Sequence, residues 1–120
     1  MSDKLKTIKI KNISDFVQQV DWAKVNGLAP VITQDYWSSR VLMLGYMNRE
    51  ALQKTLTEGK ITYYSRVRSV LWTKGETSGN FQIVKKVFLD CDNDTILIKI
   101  KQKGAVCHTG RKTCFYQEIN

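Results

Sequence analysis

The strongest structural signal in this sequence is a β-hairpin pattern in the last third of the chain. From Ile96 to Ile100, isoleucines alternate with leucine and lysine, which is the period of a strand that buries one face. The run Phe81–Leu89 is rich in apolar and β-branched residues and predicts a second strand. Asp92–Asp94, between the two runs, consists of residue types favoured in turns. We therefore predict a hairpin with arms at Phe81–Leu89 and Thr95–Lys101.

Two helices and several strands are predicted before the hairpin. Ser14 is the candidate N-cap of a short amphipathic helix that buries Phe16 and Val17. Asn48 is the candidate N-cap of a second helix, which Gly59 would end. The candidate strands in this part of the chain are Val31–Gln34, Arg40–Met47 and Tyr63–Tyr64.

The size and composition of the chain predict one domain that spans residues 1–120. The chain has 120 residues, of which 42% are hydrophobic and 25% charged, with one proline, so extended disorder and collagen-like structure are excluded. The predicted fold class is a β-dominated α+β fold, with a mixed sheet or pseudo-barrel and two or three short helices. A domain of this size has little room for a deep cavity, so we expect a site shared between subunits.

The charge of the chain favours an anionic partner. Nineteen Lys and Arg against 11 Asp and Glu give a formal net charge of +8, which suits nucleic acid or a phosphorylated metabolite. Solvation of surface lysines is the alternative explanation. No apolar stretch approaches the roughly 18 residues that span a bilayer, and Met1–Lys11 is not followed by an apolar signal core. We predict a cytoplasmic protein that does not bind membranes.

The cysteines and the single histidine indicate a zinc site. Cys91, Cys107 and Cys114 are odd in number and lie in the last third, which favours reduced thiols or a metal over disulfides. Three thiolates leave one position of a tetrahedral zinc for water or substrate, as in catalytic sites. Buried cysteines that pack as apolar residues are the alternative. His108 could be the fourth ligand, but neighbours on a strand point to opposite faces, so a proton carrier is favoured.

The aspartates of the predicted hairpin turn suit magnesium. Asp90, Asp92 and Asp94 offer the hard oxygen ligands that this ion prefers. On a flat strand these carboxylates would start about 7 Å apart, so binding one ion requires a bend. An EF-hand is excluded, because Thr95 stands where glycine is needed and Lys101 where the bidentate glutamate belongs. An acidic turn without a metal is the alternative.

A basic segment between Tyr63 and Asn80 is the candidate phosphate-binding region. Its cations, hydroxyls and glycine-freed amides have the chemistry of an anion cradle, and a solvated strand with a tight turn is the alternative. Tyr64 and Trp72 could stack on a purine or belong to the core. The segment Thr109–Lys112 is a weaker anion site. The candidate substrate-binding residues are Arg66, Arg68, Trp72, Lys74, Glu76, Thr77 and Ser78.

At these motifs the chain resembles the phosphoribosyl-AMP cyclohydrolases of histidine biosynthesis. The resemblance spans roughly Asp35–Tyr116, and departs from the family pattern at Thr62, Val67 and Thr113, where histidine, serine and serine are frequent. The segments that carry it are Val41–Asn48, Tyr64–Arg66, Trp72–Gly79, Asp90–Asp94, Gly104–Gly110 and Cys114–Phe115. The resemblance implies zinc at the three cysteines, magnesium at the three aspartates, and an intertwined homodimer whose zinc ligands come from both subunits.

The activity implied by the resemblance is the third step of histidine biosynthesis. It is hydrolysis of the N1–C6 bond in the adenine ring of 1-(5-phosphoribosyl)-AMP, giving the phosphoribosylformimino-imidazolecarboxamide ribotide, with His108 as proton carrier. The pyrophosphohydrolase domain of many relatives is not expected here, since the chain stops at Asn120. The alternative functions are a zinc-stabilised nucleic-acid-binding module without catalysis and a structural protein with buried thiols. Against the former, the cysteines lack paired knuckles and the aspartates would repel a phosphate backbone.

Overall fold

The computed structural model describes residues 7–120, and its elements follow the predicted α+β pattern. The helices are α1 (Ile13–Gln19) and α2 (Arg49–Glu58). The strands are β1 (Ala29–Asp35), β2 (Val41–Met47), β3 (Thr62–Ser65), β4 (Val70–Thr73), β5 (Gln82–Leu89) and β6 (Ile96–Gln102). Among the described residues, neither helix has the length and apolar character that crossing a membrane requires.

The main sheet has four strands in the order β2-β1-β6-β5 and is mixed, as predicted. The β1–β2 and β5–β6 pairs are antiparallel, whereas β1 and β6 are parallel. Strands β3 and β4 form a separate antiparallel ribbon. The pseudo-barrel alternative is wrong, because β2 and β5 remain the two edges of an open sheet.

The predicted hairpin is confirmed to within one residue at each end of its arms. Strands β5 and β6 pair from Gln82–Gln102 at one end to Leu89–Ile96 at the other. Ile96, Ile98 and Ile100 are completely buried, as the alternation predicts. The hairpin therefore supplies the centre of the core, and its turn and its open end lie at opposite ends of the sheet.

The two helices are present, but one cap differs from the prediction. The Asn48 side chain accepts from the Ala51 amide at 2.8 Å, and Gly59 ends α2 in the left-handed region, both as predicted. The cap of α1 is Asn12, whose side-chain oxygen accepts from the Asp15 amide at 2.9 Å. The Ser14 prediction is wrong, because this serine already lies in the first helical turn. 

The β3–β4 ribbon packs on the main sheet through one tyrosine. A Cβ atom at Gly45 of β2 would lie 2.5 Å from the Tyr63 ring, so glycine is what permits this close approach. The buried Tyr63 hydroxyl is 2.8 Å from the Thr33 hydroxyl and donates to Gln82 Oε1 at 2.7 Å. Because both partners belong to the main sheet, these bonds join the two sheets in the core.

Candidate active site

The three aspartates lie in the turn between β5 and β6, which bends as magnesium binding requires. The Asp90 carboxylate accepts from the amides of Asp94 at 3.0 Å and Thr95 at 3.1 Å. Asn93 adopts a left-handed backbone conformation, with φ 63°, that asparagine tolerates well. One oxygen from each of Asp90, Asp92 and Asp94 lies within 4.8 Å of the others. The turn thus brings together three hard ligands that a flat strand would separate.

A lysine that the sequence analysis missed contacts this turn. The ammonium of Lys24 lies 2.9 Å from an oxygen of Asp92 and 2.9 Å from an oxygen of Asp94. Its hydrogen bond is the main cause that lowers the pKa of Asp94 to about 2, and the bonds to both carboxylates raise the pKa of Lys24. No sequence signal connects residues 68 positions apart, so only the fold reveals this contact.

Two of the three cysteines lie together after β6, in the C-terminal segment. The Thr109 hydroxyl donates to Cys107 Sγ at 3.1 Å, and this bond is the main cause that lowers the pKa of Cys107. Desolvation, followed by the charge of Cys107, raises the pKa of Cys114. The two thiols are therefore close enough to interact, and Cys107 is the readier of them to ionise.

Cys91 lies far from the other two thiols within one chain. It is exposed in the β5–β6 turn, whereas Cys107 and Cys114 follow the opposite end of β6. The strand that lies between them in the chain, β6, has seven residues and spans about 20 Å. Among residues 7–120, the aspartates are the one group of three such ligands that converges. A single copy therefore presents a pair of thiols and a separate third thiol.

His108 is exposed in a turn that directly follows Cys107. The amides of Val106 and Cys107 both donate to the Arg111 carbonyl at 3.0 Å, and the Gly110 amide donates to the Cys107 carbonyl. The strand geometry assumed for Cys107 and His108 is wrong, because a left-handed Gly110 closes a turn here. Cys107 and His108 therefore do not lie on a strand, so the prediction that they point to opposite faces of a strand does not apply.

The three predicted phosphate-binding cations do not meet within one chain. Arg66 and Arg68 lie in the β3–β4 turn, where the Arg66 guanidinium sits 3.9 Å from the Tyr46 ring centroid. Lys74 follows β4 at the other end of the ribbon. The four residues of β4 separate this end from the turn by about 13 Å. Its ammonium donates to the Val106 carbonyl, beside the paired thiols. 

The loop between β4 and β5 carries the remaining predicted substrate-binding residues. Glu76, Thr77 and Ser78 are exposed there, available to a ligand. Gly75 makes the loop fold back, because its φ is 86° and a Cβ atom would lie 2.4 Å from the Asn80 backbone. The loop is therefore a closed turn that presents polar groups at its tip.

Trp72 has a packing role and also borders this loop. Its ring centroid is 5.1 Å from that of Tyr63, with the planes tilted by 32°, and the residue is half-buried. The Lys74 ammonium is 5.8 Å from the Trp72 centroid. The sequence predicts for Trp72 either a core contact or stacking on a purine. The core contact is observed, and the stacking stays a prediction.

A buried polar network that the sequence analysis also missed connects the core with the β4–β5 loop. Beyond Tyr63, the Gln82 amide donates to Gln102 Oε1 at 2.9 Å. The Gln102 amide in turn donates to the Asn80 carbonyl at 3.2 Å. Gln82 is completely buried, a rare position for glutamine unless its polar atoms are paired. The network thus holds the base of the loop against β6.

Comparisons with known proteins identify one family. The phosphoribosyl-AMP cyclohydrolase family model matches residues 43–116. A phosphoribosyl-AMP cyclohydrolase of Clostridium beijerinckii is 57% identical over 103 residues, covering 86% of this chain and 94% of that protein. A phosphoribosyl-AMP cyclohydrolase of Clostridium botulinum is 54% identical over 108 residues, covering 90% of this chain and 99% of that protein. A histidine biosynthesis bifunctional protein of Haemophilus influenzae is 57% identical over 101 residues, or 84% of this chain, but only 46% of that protein.

The α+β fold presents thiols, carboxylates and cations on its turns and loops, and enzymes use such groups to bind metals and substrates. The chain belongs to the phosphoribosyl-AMP cyclohydrolase family, which confirms the resemblance stated from its motifs. The predictions of an enzyme and of a hydrolase in histidine biosynthesis are confirmed at the level of this family. The metal ligands, the proton carrier and the substrate-binding residues stay predictions.

Proposed function

We propose that this protein opens the adenine ring of 1-(5-phosphoribosyl)-AMP by hydrolysis of the N1–C6 bond, with zinc and magnesium as cofactors. The product is the phosphoribosylformimino-imidazolecarboxamide ribotide, and the reaction is the third step of histidine biosynthesis. The observation that carries this proposal is the family match over residues 43–116, since that range contains both the thiol pair and the aspartate turn.

The donor set of the C-terminal segment fits zinc. Thiolates are ligands that zinc prefers, and the lowered pKa of Cys107, caused first by the Thr109 hydrogen bond, favours the thiolate form. Cys107 and Cys114 would supply two ligands from one copy. When bound in such a site, zinc supplies Lewis acidity that lowers the pKa of water towards neutrality.

We assign the third zinc ligand to Cys91 of a second copy. Within one chain the three thiols do not converge among the described residues, so a site with all three requires a second copy. Exposed apolar side chains support such an assembly, since Leu44 on the edge strand β2 is 46% exposed and Phe115 is 62% exposed. Each copy would then contribute to two shared sites, in line with the expectation of an intertwined homodimer.

His108 is assigned the proton transfer. Hydrolysis adds the oxygen of water to C6 and breaks the N1–C6 bond, so N1 must receive a proton while it keeps its phosphoribosyl group. An exposed imidazole beside the thiol pair suits this task, because one ring nitrogen of imidazole can accept a proton while the other donates one. His108 would therefore take a proton from the attacking water and deliver one to N1.

The phosphates of the substrate are assigned to the cations and to the aspartate turn. Asp90, Asp92 and Asp94 would hold magnesium, which commonly binds through carboxylates together with substrate phosphates. In a shared site this turn arrives with Cys91, so both metals would lie near one substrate. Arg66, Arg68 and Lys74 would pair with the phosphates, and the β4–β5 loop would add its hydroxyls.

An ultraviolet absorbance assay tests the proposal. Purified protein is mixed with phosphoribosyl-AMP and magnesium, and the assay is repeated after a chelator has removed zinc. We expect turnover that is lost with zinc and returns when zinc is added back. Absence of turnover in a folded, zinc-loaded dimer would contradict the proposal.

The nucleic-acid-binding alternative predicts a different result. The net charge of +8 favours it, and it requires salt-dependent affinity for oligonucleotides without turnover of the nucleotide. We propose instead a small-molecule substrate and no nucleic-acid partner. The three free thiols fit a reducing compartment, so we place the protein in the cytoplasm.

A further inference from the structure

Lys24 stands where a cation would bind the aspartate turn. Its ammonium contacts one oxygen each of Asp92 and Asp94, and both distances are 2.9 Å. Lys24 is held near the turn by its own segment, because its amide donates to the Asp21 carboxylate at 3.1 Å. The Asp21 amide donates in turn to the Asn93 carbonyl at 2.8 Å. The lysine therefore belongs to a segment that docks on this turn.

The ammonium and a divalent cation would bind the same carboxylates, those of Asp92 and Asp94. Three carboxylates whose oxygens converge within 4.8 Å repel one another, and a positive charge between them relieves that repulsion. Magnesium draws its oxygen ligands into a compact octahedron, so an ion held by these carboxylates would lie within a few ångströms of the ammonium. Two cations at this distance would also repel each other.

We propose that Lys24 is a resident counter-ion of this turn, and that a divalent cation must displace it in order to bind. Lys24 thereby weakens the affinity of the turn for magnesium and sets the concentration at which the ion enters. This inference rests on the proposed function, in which the three aspartates are the magnesium ligands.

The exposure of Lys24 makes the displacement feasible without refolding. The side chain is 43% exposed, and its flexible four-carbon stem lets the ammonium swing into water. The backbone bond between Asp21 and Asn93 does not involve the ammonium, so the docked segment keeps its place. Only a side-chain rotation is required.

The test is isothermal titration of magnesium chloride into zinc-loaded protein at constant ionic strength. We expect Lys24→Met to bind magnesium about three- to tenfold more tightly than the unmodified protein, since the two ion pairs of Lys24 no longer compete with the ion. Lys24→Arg keeps the charge and is expected to stay near the unmodified affinity. Lys86→Met, which removes an exposed lysine from β5, controls for net charge and is expected to change the affinity little.

Asp92→Asn separates failure of this inference from failure of the magnesium assignment. If Asp92→Asn loses magnesium binding while Lys24→Met leaves the affinity unchanged or weaker, the displacement is overturned and the ligand assignment stands. If neither the unmodified protein nor Lys24→Met binds magnesium, both are overturned. Thermal unfolding with and without magnesium gives a second readout on each variant, because a bound ion stabilises the folded state.

Discussion

At the scale of the residue, the two neighbouring thiols differ in their readiness to ionise. A hydroxyl that donates to Cys107 stabilises its thiolate, whereas desolvation, with the charge of Cys107 second, disfavours the thiolate of Cys114. Lys74 lies close enough to favour the thiolate of both. Because the thiolate is the form that binds metal, Cys107 is the ligand that we expect to engage zinc first.

This difference predicts an order of chemical reactivity. In zinc-free protein under reducing conditions, iodoacetamide should modify Cys107 at lower pH than Cys114, because the Cys107 pKa is lowered and the Cys114 pKa is raised. Mass spectrometry of the modified peptides across a pH series measures the order. Thr109→Val, which removes the donor hydroxyl but keeps the shape, should move the Cys107 profile to higher pH. Equal profiles for both thiols would contradict the assignment.

At the scale of the element, β2 anchors the segment that carries Cys114. The buried Thr113 hydroxyl lies 2.9 Å from the Val41 carbonyl and 3.1 Å from that of Leu42. The Cys114 amide donates to the Leu42 carbonyl at 2.7 Å. A serine at this position would offer the same hydroxyl.

The anchor predicts a contrast between two substitutions at one position. Thr113→Val keeps the shape but loses the hydroxyl, so the free energy of unfolding should fall by about 1–2 kcal/mol. Thr113→Ser keeps the hydroxyl, so its free energy of unfolding should fall by less. Urea unfolding at matched protein and zinc concentrations measures both. If valine is as stable as serine here, the hydroxyl does not anchor the segment.

At the scale of the whole molecule, the proposed zinc site with three thiols requires an assembly of two copies. Cys91 precedes β6 in the chain and the thiol pair follows it, so a second copy that brings its Cys91 to the pair would complete a site with three thiols. The edge strand β2, with exposed Val41 and Leu44, offers an apolar surface for such a contact.

Shared sites predict recovery of activity in a mixture of two inactive variants. Cys91→Ser and Cys107→Ser should each be inactive, because every site in either homodimer lacks one ligand. After unfolding and refolding together with zinc, half of the dimers combine both variants, and each of these contains one intact site. Activity should then return to about a quarter of the unmodified value. A mixture that stays inactive, although the variants form mixed dimers, would contradict shared sites.

The periodic parts of this fold follow from local sequence patterns. The β5–β6 hairpin, α2 with its caps, and β1 and β2 were all predicted, because alternation and capping depend on residues that are neighbours in the chain. Strand β4 was missed, since Val70–Thr73 is short and only half-buried against its ribbon partner. The α1 cap was displaced because Asn12 and Ser14 offer competing side-chain acceptors.

The candidate ligands themselves could be predicted from the sequence, because the side chains of cysteine, histidine and aspartate can bind metals wherever they lie in the fold. Their arrangement is a property of the packed molecule. Lys24 reaches the aspartate turn across 68 positions, and Cys91 does not converge with the other two thiols of its own chain among the described residues. Such distances depend on how the elements pack, because contacts between residues far apart in the chain leave no local periodic trace.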